Sequence, residues 1–249
     1  MLNKEKINNL EIVKEWPFIN KFVEVVTEAY PNIDLTKFYE GLPITNIIVD
    51  DARSIWVNFS KDAIDIHASE EVYGNVDRNN MGMIAEQWMA HEFFHYLFGY
   101  DKVNHRLIAG FEEGCAEYLS QKLFGDLNDQ ENLHYNFSVL IVQGIEEVVG
   151  PEKFICYINR FAPLELMDEL SNYVPEEDVK KLFHYMSVVD CNHPLDINEP
   201  LNQKVKLTNE DHVYGEQKLS DAKLEEIKNH GFLIMSRIKE NKFKQNHTE

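Results

Sequence analysis

Residues 91–95 read His91-Glu92-Phe93-Phe94-His95, the H-E-x-x-H pattern. In a helix each residue advances ~100°, so positions 91 and 95 differ by only ~40° and project from one face a turn apart. That spacing lets two imidazole nitrogens meet one Zn²⁺ at ~2.1 Å. Glu92 stands ~100° round from His91, beside the metal position, where a carboxylate can take a proton from water. On these five residues alone, a packed or solvated pair of histidines is the competing reading.

Two histidines do not complete a catalytic zinc site, which takes three protein ligands and a water. Downstream stands Phe111-Glu112-Glu113-Gly114-Cys115-Ala116-Glu117-Tyr118, after 17 residues between His95 and Glu113. Glu113 and Glu117 are four apart and share a helix face, while Glu112 points ~100° away. One carboxylate can reach a metal, and the other can sit behind a ligand imidazole and fix its tautomer. A metal-activated water attacking a carbonyl would also call for a donor to the tetrahedral oxyanion, commonly Tyr or His. His134, Tyr135, His184 and Tyr185 are the candidates, though local spacing singles out none of them. Cys115 reads as a small buried hydrophobe.

The two-part pattern resembles the gluzincin metallopeptidases, in particular their E-G-x-A-E-Y variety, over about residues 45–125. The resemblance implies a zincin-like fold and Zn²⁺ as cofactor. It implies His91, His95 and Glu113 as ligands, Glu92 as general base, and Glu117 as the carboxylate behind His91. It implies hydrolysis of a peptide or protein substrate laid in extended form along a sheet edge, for which 63–69 is the best strand. The G-x-M-E-N-like motif of the true aminopeptidases is absent from the chain, so exopeptidase specificity is not carried over. The metzincin pattern also nearly fits. Gly99 stands one position late, Asp101 falls at the third ligand, and Tyr185-Met186-Ser187 is a poor Met-turn. A catalytically silent zincin, acting as a zinc-stabilised binding or regulatory module, is the alternative function.

The elements that must position these residues are legible in outline. Phe18, Phe22, Val25, Val26 and Tyr30 predict a helix over about 18–30, stopped by Pro31. Three strands follow. The run 46–50 is nearly all apolar, as in a central strand. The run 54–60 turns Ile55, Val57 and Phe59 to one face, and 63–69 turns Ile64 and Ile66 inward. Short polar links make a meander the simplest topology.

Helices are predicted over 82–98, with Asn79 or Asn80 as N-cap, and over 106–124, ending at Gly125. A third over 130–149 would bury Leu133, Phe137, Leu140, Ile141, Ile145 and Val148 on one face. Gly150-Pro151 breaks it and starts another over 151–160, followed by one over 176–188. Residues 191–217 read as irregular, and 218–240 as a charged last helix on a solvated or mobile segment. The fold class is α+β, with a small N-terminal antiparallel or mixed sheet packed on the active-site helix. The expected division is 1–125 as the catalytic part, 126–190 as a helical part closing the cleft, and 191–249 as a polar C-terminal segment.

Composition limits the function classes. The chain has 249 residues, 43 Asp and Glu, 24 Lys and Arg, and a formal net charge of −19. Nucleic-acid backbones are bound by clustered Lys and Arg, so that partner is excluded. Three cysteines with no C-x-x-C pair fit a reducing compartment. No apolar run reaches the ~18 residues of a membrane span, and residues 1–15 carry no signal-peptide pattern. The expectation is a cytoplasmic protein, with export by a signal-less route equally compatible with the sequence.

Overall fold

The computed structural model describes residues 18–50, 56–59, 63–69, 83–98, 109–125, 135–159, 162–191 and 219–247. It is mostly helical with one small sheet, an α+β arrangement. Two compact units form: Met1–Lys102 with Leu119–Asp129, and Val103–Tyr118 with Gln130–Glu249. The boundary between them runs through the helix Ala109–Phe124. Among the described residues, no helix is long and apolar enough to cross a membrane.

The first unit opens with α1 (Phe18–Ala29) and a short α2 (Thr36–Gly41), followed by a 3₁₀ turn over Leu42–Ile44. The strands are β1 (Thr45–Asp50), β2 (Trp56–Phe59) and β3 (Ile64–Ser69). Their order is β1-β3-β2, with β1 parallel and β2 antiparallel to β3. The expected meander is therefore replaced by a mixed sheet. The apolar run of β1 lies at an edge, and the alternating β3 is the central strand. Alternation marks a half-buried strand whichever place it holds, so it cannot rank centre against edge. Ile64 and Ile66 are fully buried while Asp65 and His67 are half-exposed, as the alternation predicts. Asn46 Nδ2 donates to Asp65 Oδ1 at 2.8 Å across the β1–β3 pair.

Helix α3 (Met83–Phe98) carries the His pair. Met89, Ala90, Phe93, Phe94, Tyr96, Leu97 and Phe98 are all buried, so its later turns are enclosed on most sides, as a helix apolar nearly all round requires. An aromatic cluster holds it. The rings of Phe93 and Phe94 lie 5.3 and 5.2 Å from that of Phe22, and Phe93 lies 5.3 Å from Phe38. Such pairs add ~0.5–1.5 kcal/mol each beyond burial. Tyr96 Oη meets Thr45 Oγ1 at 3.2 Å and ties α3 to the start of β1. Burial pushes the Tyr96 phenol far up, and the Glu92 carboxylate adds to this, so it stays a neutral hydroxyl. Lys21 donates to both oxygens of Glu86 at 2.6 Å on the surface, a pair worth at most ~1 kcal/mol.

Helix α4 (Ala109–Phe124) belongs to both units, 119–124 lying in the first. There Phe124 stacks on Phe22 at 5.7 Å and Lys122 donates to Tyr30 Oη at 3.0 Å.

The second unit holds α5 (Asn136–Val149), α6 (Pro151–Asn159), α7 (Pro163–Leu170), α8 (Glu176–Cys191) and α9 (Asp221–Asn246). Phe137, Ile141, Ile145 and Val148 of α5 are buried as expected, but Leu140 is 43% exposed. At three residues from Phe137 and four from Gly144 it falls on the outer margin of the stripe. Leu133 and the proposed N-caps Asn79 and Asn80 lie outside the described residues, as does 192–217. Gly150 takes a positive φ of 85° and lets Pro151 begin α6 at once.

The last helix differs most from expectation. It runs 26 residues and buries Ile227, Gly231, Ile234, Met235 and Ile238, so it is a core element rather than a solvated tail. Gly231 lies so close to Phe137 that a Cβ there would stand 2.5 Å from the ring.

The N-terminal half of α4 meets α8 at glycine distance. A Cβ on Gly110 would lie 2.2 Å from the Met186 carbonyl carbon, which is backbone and cannot rotate away. Gly110→Ala is expected to lower the urea midpoint by overpacking, a loss of about 1–3 kcal/mol, with the slope unchanged. A wild-type midpoint in that variant contradicts the contact.

Candidate metal centre

His91 and His95 leave α3 one turn apart, and their rings stand 5.0 Å apart at 69°. Their Nε2 atoms face each other at 3.2 Å. Two neutral imidazole lone pairs repel at that distance unless a proton or cation lies between them. Two ~2.1 Å bonds to one Zn²⁺ enclosing about 100° place their nitrogens about 3.2 Å apart, near the tetrahedral angle. The facing Nε2 atoms leave each Nδ1 for the partner that sets the tautomer. His95 is buried at 7% exposure, and Phe98 sets its ring against it at 5.8 Å. Glu92 is half-buried beside them.

Glu113 sits in the second turn of α4, half-buried. Among the described residues, the one group of His, Cys, Asp and Glu able to hold a metal is His91, His95 and Glu113. Each contributes one ligand atom, and these atoms lie within 4.8 Å of one another. Two ligands on one zinc are at most ~4.2 Å apart and near ~3.4 Å at the tetrahedral angle. A donor set of two imidazoles and one carboxylate suits Zn²⁺.

Glu117 is buried at 5% exposure, one turn beyond Glu113. Cys115 is buried at 1%, as a small core residue. Cys191, the last residue of α8, is also buried. Burial pushes its thiol up, and the carboxylates of Glu113, Asp190 and Glu112 push it further, so it stands as a neutral thiol. Sequence reasoning missed this neighbour of Glu113, because 77 residues of chain lie between the two positions.

The candidate oxyanion donors scatter. Tyr185 places its hydroxyl 3.0 Å from His230 Nδ1 of α9, a contact that no local signal announced. His184 is buried on α8 beside it. Tyr135 stands at the N-terminal boundary of α5 with a left-handed φ of 56°. It gives that helix no side-chain cap. Asp190 of α8 serves there instead, accepting from Ser138 N at 2.7 Å. Burial pushes the Asp190 carboxyl up, and its bonds from Ser138 and Phe137 oppose the rise. His134 lies outside the described residues.

The metzincin alternative loses its Met-turn. Tyr185, Met186 and Ser187 are interior residues of the continuous helix α8, and Met186 is fully buried. Gly99 and Asp101 lie outside the described residues. The expected docking strand also needs correction. Both sides of β3 are taken by β1 and β2, so residues 63–69 cannot add a substrate strand. No protein-family model, curated protein or solved structure matches this chain.

Proposed function

We propose that the chain is a zinc metallopeptidase of gluzincin type on a zincin-like fold, hydrolysing a peptide or protein substrate. The observation that carries the reading is the convergence of the His91, His95 and Glu113 donor atoms, with Glu92 next to the His pair on the same helix. A bound Zn²⁺ would supply Lewis acidity, lowering the pKa of a coordinated water from ~15.7 towards ~7. Glu92 would take the proton from the attacking water at its carboxylate and deliver it to the leaving amine. His95, buried and edged by Phe98, would hold its ring without searching rotamers. Glu117 would fix the tautomer of His91. An extended peptide would run along β1 or β2, the two outer strands of the described sheet.

The test is cleavage of a mixed-sequence peptide library by the metal-loaded chain. Cleavage should stop when a zinc chelator is added and return when Zn²⁺ is restored in excess. Cleavage that proceeds unchanged in chelator rules the reading out.

A further inference from the structure

Helix α4 presents Gly110, Gly114 and Tyr118 at intervals of four, which is one stripe along the helix. Each member meets a different partner within the second unit. Gly110 lies against the Met186 and Ser187 backbone of α8, and its N–H donates to Ser187 Oγ at 3.0 Å. Gly114 lies against Ser138 of α5, where a Cβ would stand 2.6 Å from the serine Cβ. Tyr118 donates its hydroxyl to Glu146 Oε2 of α5 at 2.5 Å, with both residues buried.

The three contacts hold different things. A glycine contact sets how closely two helix axes approach. It has no side chain to interlock, so it leaves rotation about the helix axis loosely determined. A short, buried, charge-assisted hydrogen bond is directional and roughly twice as strong as a neutral one. It holds the angle. Glu113 and Glu117 each precede a member of the stripe by one residue, ~100° round the axis. A carboxylate carried ~6 Å from that axis moves about 2 Å when the helix turns by ~20°. Metal–ligand distances tolerate about 0.2 Å.

We propose that Glu146 is a positioning residue for the metal centre. Through the Tyr118 hydroxyl it fixes the rotation of α4, and so the direction in which Glu113 offers its carboxylate. The inference rests on the metal-centre reading above.

The metal-stripped full chain is titrated with Zn²⁺ against a chromophoric chelator, and with Co²⁺ while its visible absorption is followed. Tyr118→Phe, Glu146→Gln, their double variant, His91→Ala and Tyr173→Phe are compared with wild type. Tyr173→Phe removes another hydroxyl of the second unit, the one that accepts from Lys242 at 3.1 Å. Tyr118→Phe and Glu146→Gln should each weaken Zn²⁺ binding about tenfold, the lower end of the range for groups behind a metal ligand, and shift the Co²⁺ bands. The double variant should be no weaker than the worse single one, because the two act as a unit. Tyr173→Phe should bind as wild type.

Wild-type Zn²⁺ affinity and Co²⁺ spectrum in Tyr118→Phe overturn the inference, whatever that variant's thermal stability. Tyr118→Phe keeps the ring and decides the matter if Glu146→Gln does not fold. If wild type binds no Zn²⁺, or His91→Ala binds as tightly as wild type, the metal centre itself falls and this inference with it.

Discussion

Glu92→Gln is expected to keep Zn²⁺ and lose peptide hydrolysis by about 10²–10⁴-fold, the range set by general acid–base catalysis. Gln fills the same volume and retains one acceptor, so α3 should fold around it unchanged. The residue is half-buried and outside the core that Met89, Phe93, Phe94 and Leu97 form, so stability should hardly move. Only the basic oxygen is lost. The measurement pairs metal content by elemental analysis with initial rates on the best library peptide. Full cleavage in the variant would remove Glu92 from the mechanism and leave another base to be found. A metal-loaded wild type that cuts nothing in the library gives the site to the other reading, a metal-stabilised binding module. In that case Glu92→Gln should change neither metal content nor melting temperature.

The spacing signals in the sequence are local, and local order is what they located. H-E-x-x-H gave α3 because apolar residues surround it, and Gly150-Pro151 marked the break between α5 and α6 because backbone torsion is a nearest-neighbour matter. Strand order is different. Nothing within β1, β2 or β3 encodes which lies between the others, and the meander expectation failed for that reason. The buried face of helix α9 was concealed by composition. Its buried Ile227, Gly231, Ile234, Met235 and Ile238 keep helical spacing, but Lys and Glu together outnumber them, and one position of the stripe is a glycine. The short α2 and α7 carry too few turns to show a period. The site divides along the same line. The His pair is one turn of one helix. The closeness of Glu113, the Asp190 cap and the Tyr118–Glu146 bond depend on chain segments distant in sequence.

Removing a ligand tests that distant part directly. Structural zinc sites release ~10–16 kcal/mol over about four ligands, so one ligand accounts for roughly 2.5–4 kcal/mol, or about 10²–10³-fold in affinity. His95→Ala and Glu113→Ala should each lose Zn²⁺ by that factor. The wild type should gain thermal stability on adding Zn²⁺, by about 4 kcal/mol at a free concentration 1,000 times Kd. Both variants should lose most of that gain at the same concentration. The two differ without metal. His95 is buried, so its replacement leaves a cavity and lowers the metal-free melting temperature. Glu113 is half-buried and lies in the field that pushes the Cys191 thiol up, so removing its charge should leave the metal-free fold intact. Glu113→Ala thus separates metal loss from fold damage. Asp101→Ala supplies the contrast, since the metzincin assignment would make that residue the third ligand. If Glu113→Ala keeps its Zn²⁺ while Asp101→Ala loses it, the carboxylate of α4 is a bystander and the ligand set moves to the segment after α3.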